Sequence, residues 1–242
     1  MGIWFLRLRL GKGHCRIETV LAWARTVCHT IYPTVLHAYA SVIVCLCMGD
    51  VLIVGGGPAG LSAALFTAKN GLETTVLDTD GTWMHKAHLF NYPGIGSIDG
   101  SNYIETLREQ VDDFGVDRHQ GTEVTGVELT DSGFTVTTND DQYESSYIVL
   151  ATGANRDLAE GLGCALTDGG VVDVDVTMET SIENAYATGA MVRAEEWQAI
   201  ISAGDGAAAA LNILSKKKEE HFHDFDVPAD AEELFGSLVD SS

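Results

Sequence analysis

Asp50-Val51-Leu52-Ile53-Val54 is a short, unbroken apolar run, the pattern of a strand buried on both faces of a parallel sheet. Six residues follow at once, Gly55-Gly56-Gly57-Pro58-Ala59-Gly60. Leu61 to Asn70 then reads as an alanine-rich helix, with Gly71 as its natural stop. Glu73 to Leu77 predicts a second strand, ending at Asp78. Together these make a βαβ unit of about thirty residues, the usual length of that motif.

Residues 79–98 lack a period and carry Gly81, Pro93, Gly94 and Gly96. Ser101 to Phe114 predicts a helix whose apolar stripe is Leu107, Val111 and Phe114. Gly121 to Leu129 and Phe134 to Thr138 are β-like, joined by the turn Thr130-Asp131-Ser132-Gly133. Tyr143 to Ala151 is the third strand of this group. Three strands in a row without helices predict an antiparallel meander, and Tyr147-Ile148-Val149-Leu150-Ala151 returns to a buried, parallel-type pattern before Thr152-Gly153. Gly170 to Val176 reads as a further strand and Ala185-Tyr186-Ala187 as a short buried one. Ile200 to Leu214 is helical, with small residues Ala207 to Ala210 on one side for close packing. Lys216-Lys217-Lys218 suit the negative end of that helix. The expected fold is α/β: a Rossmann-like, three-layer dinucleotide-binding fold, with helices on one face of a parallel sheet and a three-stranded meander on the other.

Charge changes the picture of the two ends. The chain of 242 residues has a formal net charge of −21. Phosphate surfaces would repel it, which excludes nucleic acid and anionic membrane as main partners. The apolar content of 45% is too high for a disordered acidic chain. An acidic, globular, halophilic protein of the cytoplasm is expected, ahead of an ordinary acidic one. Residues 1–47 differ: Arg7, Arg9, Lys12, Arg16 and Arg25 face a single Glu18, and Cys15, Cys28, Cys45 and Cys47 lie here while only Cys164 follows. This contrast marks 1–47 as a basic extension, read first as upstream translation with Met48 as the natural start. A targeting or membrane segment is the rival reading, weakened by Pro33, His37 and the shortness of the apolar run at 31–47. Residues 48–215 form the main domain and 216–242 an acidic tail.

Gly55-x-Gly57-x-x-Gly60 has the spacing of a dinucleotide fingerprint. Gly55 permits the tight turn, Gly57 the approach of a pyrophosphate, and Gly60 the packing of helix on strand. Pro58 and Ala59 open the helix, whose N-terminus offers unpaired N–H groups to phosphate. Asp78 stands where a carboxylate would hold the adenosine ribose. The absence of an Arg just after Asp78 disfavours a 2′-phosphate there. The fingerprint alone does not separate FAD from NAD.

From Asp50 to Asp78 the chain resembles the FAD motif of the pyridine nucleotide–disulfide oxidoreductases, and of thioredoxin reductases in particular. Asn91-Tyr92-Pro93-Gly94 is similar to that family's segment beside the flavin. Val149-Leu150-Ala151-Thr152-Gly153-Ala154 is similar to its second motif and Asn184-Ala185-Tyr186-Ala187-Thr188-Gly189 to its third. Trp197-Gln198-Ala199 resembles the Arg-Gln-Ala segment that meets the isoalloxazine ring, and Ser202-Ala203-Gly204-x-Gly206 the closing helix. The likeness covers 49–215. It implies FAD contacts at Gly55, Gly57, Pro58, Ala59, Gly60, Asp78, Asn91, Val124, Thr152, Gly153, Gly189, Ala190, Gln198 and Ala199.

The departures from the family bear on chemistry. Its third motif ends Gly-Asp, whereas this chain has Gly189-Ala190, which removes one hydrogen bond to the flavin side, of order 1 kcal/mol. Thr82-Trp83-Met84-His85 replaces the family's Gly-Gly-Gln; Trp83 or His85 covers the flavin, or each fills core or surface. About thirty residues, rather than roughly one hundred and twenty, separate the second motif from the third, the difference being the size of an independent domain. No second fingerprint and no Cys-x-x-Cys follow Met48, so dithiol chemistry by the familiar route is not expected. Cys164 reads as a small buried hydrophobe. His85 with His88, and His221 with His223, are not spaced for a full metal site, and no metal is expected.

The resemblance therefore implies an FAD-dependent oxidoreductase passing electrons through flavin, with no catalytic residue assigned. NAD(P)H or a ferredoxin-like carrier is the expected electron donor, and a homodimer would cover the open flavin face. A non-catalytic FAD-binding redox sensor or regulatory subunit, or an NAD-dependent enzyme, are the alternatives.

Overall fold

A computed structural model describes residues 49–226. The extension at 1–47, its Cys45-Leu46-Cys47 pair and the tail after Asp226 lie outside the described residues. The elements are β1 (Gly49–Val54), α1 (Pro58–Lys69), β2 (Thr74–Asp78), β3 (His88–Leu89), β4 (Ile98–Asp99), α2 (Gly100–Asp113), β5 (Asp117–Gln120), β6 (Val124–Thr130), β7 (Gly133–Thr138), β8 (Gln142–Leu150), α3 (Asp157–Leu162), β9 (Ala185–Ala187) and α4 (Ala199–Lys218), with 3₁₀ turns at Trp83–Lys86 and Gly189–Val192.

The main sheet runs β5-β2-β1-β8-β7-β6, with β9 also on β8. β1 pairs in parallel with β2 and with β8, and β2 with β5. β6, β7 and β8 are the expected antiparallel meander. β8 serves both parts: Gln142 to Ser145 pair with β7, and Ile148 to Leu150 pair in parallel with β9.

Side-chain alternation along the strands builds two cores. Val51, Ile53, Val76, Val149 and Tyr186 face α1, α2 and α4, while Leu52, Val54, Leu77, Ile148 and Leu150 face Phe134, Val136, Ala159 and Met191. Period-two burial on both faces is what a central parallel strand requires. The expected close packing of the last helix is present. Gly206, Ala209 and Ala210 of α4 are buried, and a Cβ on Gly206 would lie 2.0 Å from the Ala59 carbonyl oxygen of α1.

Several boundaries differ from expectation. The run Gly121–Leu129 is split: Gly121 turns with φ +75, β5 precedes it and β6 follows. Gly170–Val176 forms only single antiparallel bridges, Leu166 with Val172 and Val174 with Thr180, and not a strand of the sheet. Phe114 is not part of the α2 stripe. It caps the helix end and is exposed, and the buried positions are Gly100, Tyr103, Ile104, Arg108 and Val111. α4 continues through Lys218, into residues allotted to the tail, and Lys69 holds Asp224 and Asp226 at 2.7 and 2.6 Å. No described helix is long and apolar enough to cross a membrane.

Candidate functional site

The C-terminal ends of β1, β2, β8 and β9 open onto one cleft of about 520 Å³. Ligand sites in open α/β sheets lie at this end of the strands. Gly55 must turn with φ +111, and a Cβ there would lie 2.3 Å from the Ala151 oxygen. A Cβ on Gly60 would lie 1.9 Å from the Gly55 oxygen, so Gly60 lets α1 sit on the turn. Gly57 is the N-cap of α1 and offers no side chain to its first-turn N–H groups, while Pro58 fills N1. A Cβ added to Gly57 would meet Thr82 Oγ1 alone, at 3.4 Å, a contact distance and not a clash.

Asp78 ends β2 and is 7% exposed. Arg108 Nη2 donates to its Oδ2 at 3.5 Å and Gln120 Nε2 to the same oxygen at 3.4 Å. Arg108 also donates to Asp80 Oδ1 at 2.5 Å, and His85 Nε2 lies 2.8 Å from that oxygen. The Arg108 guanidinium, then His85, holds the Asp80 carboxyl below the usual carboxylate range. Proximity in sequence gave no Arg near Asp78, but α2 brings one to it. That guanidinium is already engaged by three carboxylates, those of Asp78, Asp80 and Glu105. Gly56 belongs to the site too: a Cβ there would lie 2.4 Å from Asp78 Oδ2.

Across the cleft, Thr152 and Gly153 follow β8. Gly153 has φ +67, and Thr152 Oγ1 donates to the Asn155 oxygen at 2.7 Å. Thr188 Oγ1 and N both donate to the Leu150 oxygen, fixing β9 to β8 just before Gly189, φ +73, and Ala190. Gln198 is the N-cap of α4 and makes no side-chain cap; its Oε1 accepts from Asn91 Nδ2 at 2.8 Å instead. Arg193, after the Gly189 turn, donates twice to buried Asp205, at 3.0 and 2.5 Å.

Of the residues singled out above, Gly55, Gly57, Pro58, Ala59, Asp78, Val124, Thr152, Gly153, Gly189, Ala190, Gln198 and Ala199 line this cleft. Gly60 lies behind it, between α1 and the turn, and Asn91 acts on it through Gln198. Trp83 lines the cleft, whereas His85 turns to Asp80 and Ser101. Ser202, which opens the closing-helix motif, also lines it, as do Glu123, Asn155 and Leu158, which carry no signal in the sequence. Cys164 is buried in the core facing the meander, and burial pushes its thiol pKa up. That environment does not make a reactive thiolate. No three or more His, Cys, Asp and Glu side chains among the described residues are grouped so as to hold a metal ion.

The connection from β8 to β9 contains α3 and single bridges, and no second glycine fingerprint.

Comparison with known proteins fits this architecture. The model of the pyridine nucleotide-disulphide oxidoreductase family matches residues 49–154 and 93–206. The F subunit of alkyl hydroperoxide reductase from Staphylococcus epidermidis is 38% identical over 109 residues, 44% of this chain and 22% of that protein. Its Staphylococcus aureus counterpart is 38% identical over 108 residues, 43% of this chain and 21% of that protein. The chain thus spans about a fifth of the length of these curated relatives. In fold it is similar to a thioredoxin reductase from Gloeobacter violaceus, with TM-score 0.66 and 20% identity over 74% of this chain and 99% of that one. It is likewise similar to a ferredoxin-flavin thioredoxin reductase from Clostridium acetobutylicum, with TM-score 0.61 and 18% identity over 72% and 99%. The fingerprint, the three glycine turns around one cleft and the family match over most of the described residues lead to one conclusion: the chain belongs to the pyridine nucleotide-disulphide oxidoreductase family.

Proposed function

We propose that the cleft holds FAD and that the chain is a small flavin-dependent oxidoreductase. The observation that carries this is the meeting of the glycine turn, Asp78, the Gly153 turn, the Gly189 turn and the α4 N-terminus in one cleft. The residues fit such a group. The bare backbone at Gly57 and the uncapped first turn of α1 suit a pyrophosphate. Asp78, held by Arg108 and Gln120, would accept from the adenosine ribose hydroxyls. Thr152, Gly153, Gly189, Ala190, Gln198 and Ala199 would contact the flavin half.

FAD would supply the electron-accepting ring; the chain's residues would bind it, orient it and shield it from water. NAD(P)H approaching the open cleft directly, or a ferredoxin-like carrier, is the proposed donor. A homodimer, a cytoplasmic location and adaptation to high salt complete the reading. Disulfide reduction through a Cys pair in the described residues is not part of it, since Cys164 is buried. A second reading, a non-catalytic redox sensor, draws on Ala190, which lines the cleft without an acceptor side chain.

The test is the visible spectrum of the full chain, purified in high salt, incubated with FAD and desalted. Retained flavin absorbance is expected. A colourless protein, folded by circular dichroism, would overturn the FAD reading. Turnover of the yellow protein with NADH, NADPH or reduced ferredoxin would separate enzyme from sensor.

A further inference from the structure

The glycine turn and Asp78 meet only the half of a dinucleotide that FAD and NAD share. Discrimination between them has to come from the other end of the cleft. Trp83 and Trp197 line that cleft and are the only aromatic side chains among its described lining residues. They are 56% and 42% exposed, an unusual state for so large an apolar side chain. Their ring centroids lie 5.3 Å apart with the planes inclined at 55°, so the two indoles meet as a tilted aromatic pair along one edge of the cleft.

Both rings stand on built supports. Trp197 Nε1 donates to the Arg193 oxygen at 3.0 Å, and Arg193 is locked by its double hydrogen bond to Asp205. Trp197 directly precedes Gln198, which Asn91 fixes from the opposite loop. Trp83 opens the 3₁₀ turn, where Thr82 Oγ1 accepts from Met84 N at 3.4 Å and Met84 is buried as an anchor. Rigid, solvent-facing aromatic surface in a polar-backbone cleft is the arrangement that binds a planar ring.

We propose that the Trp83–Trp197 edge receives the tricyclic isoalloxazine ring and selects FAD over the nicotinamide dinucleotides. The proposal rests on the dinucleotide reading above. A tricyclic ring covers more indole surface than a single pyridine ring and gains more from stacking. Oxidised nicotinamide carries a positive charge and has cation–π attraction to indole in its favour, so both NAD⁺ and NADH belong in the test.

Binding of FAD, ADP, NAD⁺ and NADH to the full chain would be measured by calorimetry, together with the emission of bound flavin. Wild type is expected to bind FAD more tightly than either nicotinamide nucleotide, with its flavin emission quenched. Trp83→Ala and Trp197→Ala are each expected to weaken FAD by about tenfold, to restore flavin emission and to leave ADP affinity unchanged. Trp83→Phe, which keeps a ring, is expected to recover most of the FAD affinity. Circular dichroism of each variant separates binding loss from unfolding, and the exposure of both side chains makes the alanine variants tolerable to the fold. FAD affinity equal to wild type in both alanine variants would overturn the clamp while leaving the cofactor reading intact. Equal affinity of wild type for FAD and a nicotinamide nucleotide would overturn the selectivity. Wild type binding neither FAD nor ADP would overturn both readings together.

Discussion

Among single residues, Arg108 ties the cleft residue Asp78 to two further carboxylates, Asp80 and Glu105. It is buried, and it holds Asp78 and Asp80 together from a different element. The pKa of Asp80 is lowered by Arg108 first and His85 second, so its stabilising effect is full above the unfolded carboxylate value, about 4. It is lost as pH falls through the lower, folded value. Arg108→Met is expected to cost about 1–2 kcal/mol at neutral pH, less than a fully buried pair because Asp80 is partly exposed. Urea melts from neutral pH down to about pH 2 should show the gap between wild type and variant narrowing below about pH 4. A gap that stays constant would mean that Arg108 acts through packing alone. The places of Gly55, Gly57 and Asp78 in the cleft were legible in the sequence because they depend on neighbours in the chain. Arg108 and Gly56 were not. Arg108 reaches Asp78 only through the docking of α2, and Gly56 is constrained only by where the Asp78 carboxylate comes to rest.

Elements were legible where their own period identified them. β1, α1, β8 and α4 each carry an apolar pattern of the right length. β5, Asp-Arg-His-Gln, carries none; it is an edge strand made by pairing with β2. α3 is six residues long, too short to show a period. Gly170–Val176 shows the converse, a β-like pattern that forms only isolated bridges and leaves Val176 in solvent. The contact of α1 with α4 gives a direct test of helix packing. Gly206→Ala would place a Cβ 2.0 Å from the Ala59 oxygen. It should destabilise by about 1–3 kcal/mol, read by chemical denaturation. Gly204→Ala, on the same helix with nothing within 4 Å, should instead stabilise by up to about 1 kcal/mol. Equal effects from the two changes would show that the helices can part without cost.

For the molecule as a whole, charge is the dominant quantity. A net charge of −21 works against compaction, and salt screens it. The melting temperature is expected to rise steadily as sodium chloride increases from about 0.1 to 1 M. A flat response would remove the basis for a high-salt habitat. Topology has an effect of its own during synthesis. β1 lies inside the sheet, yet its neighbours reach it at different times: Val51 pairs with both Thr74 and Tyr147. A chain emerging from the ribosome completes β1, α1 and β2 early, then carries an open strand edge until β8 has been made. Such an edge is a template for pairing with other chains. A fragment that keeps the glycine fingerprint but stops short of Tyr147 would expose that edge permanently, so the nascent chain is most prone to aggregate in the interval between those two pairings.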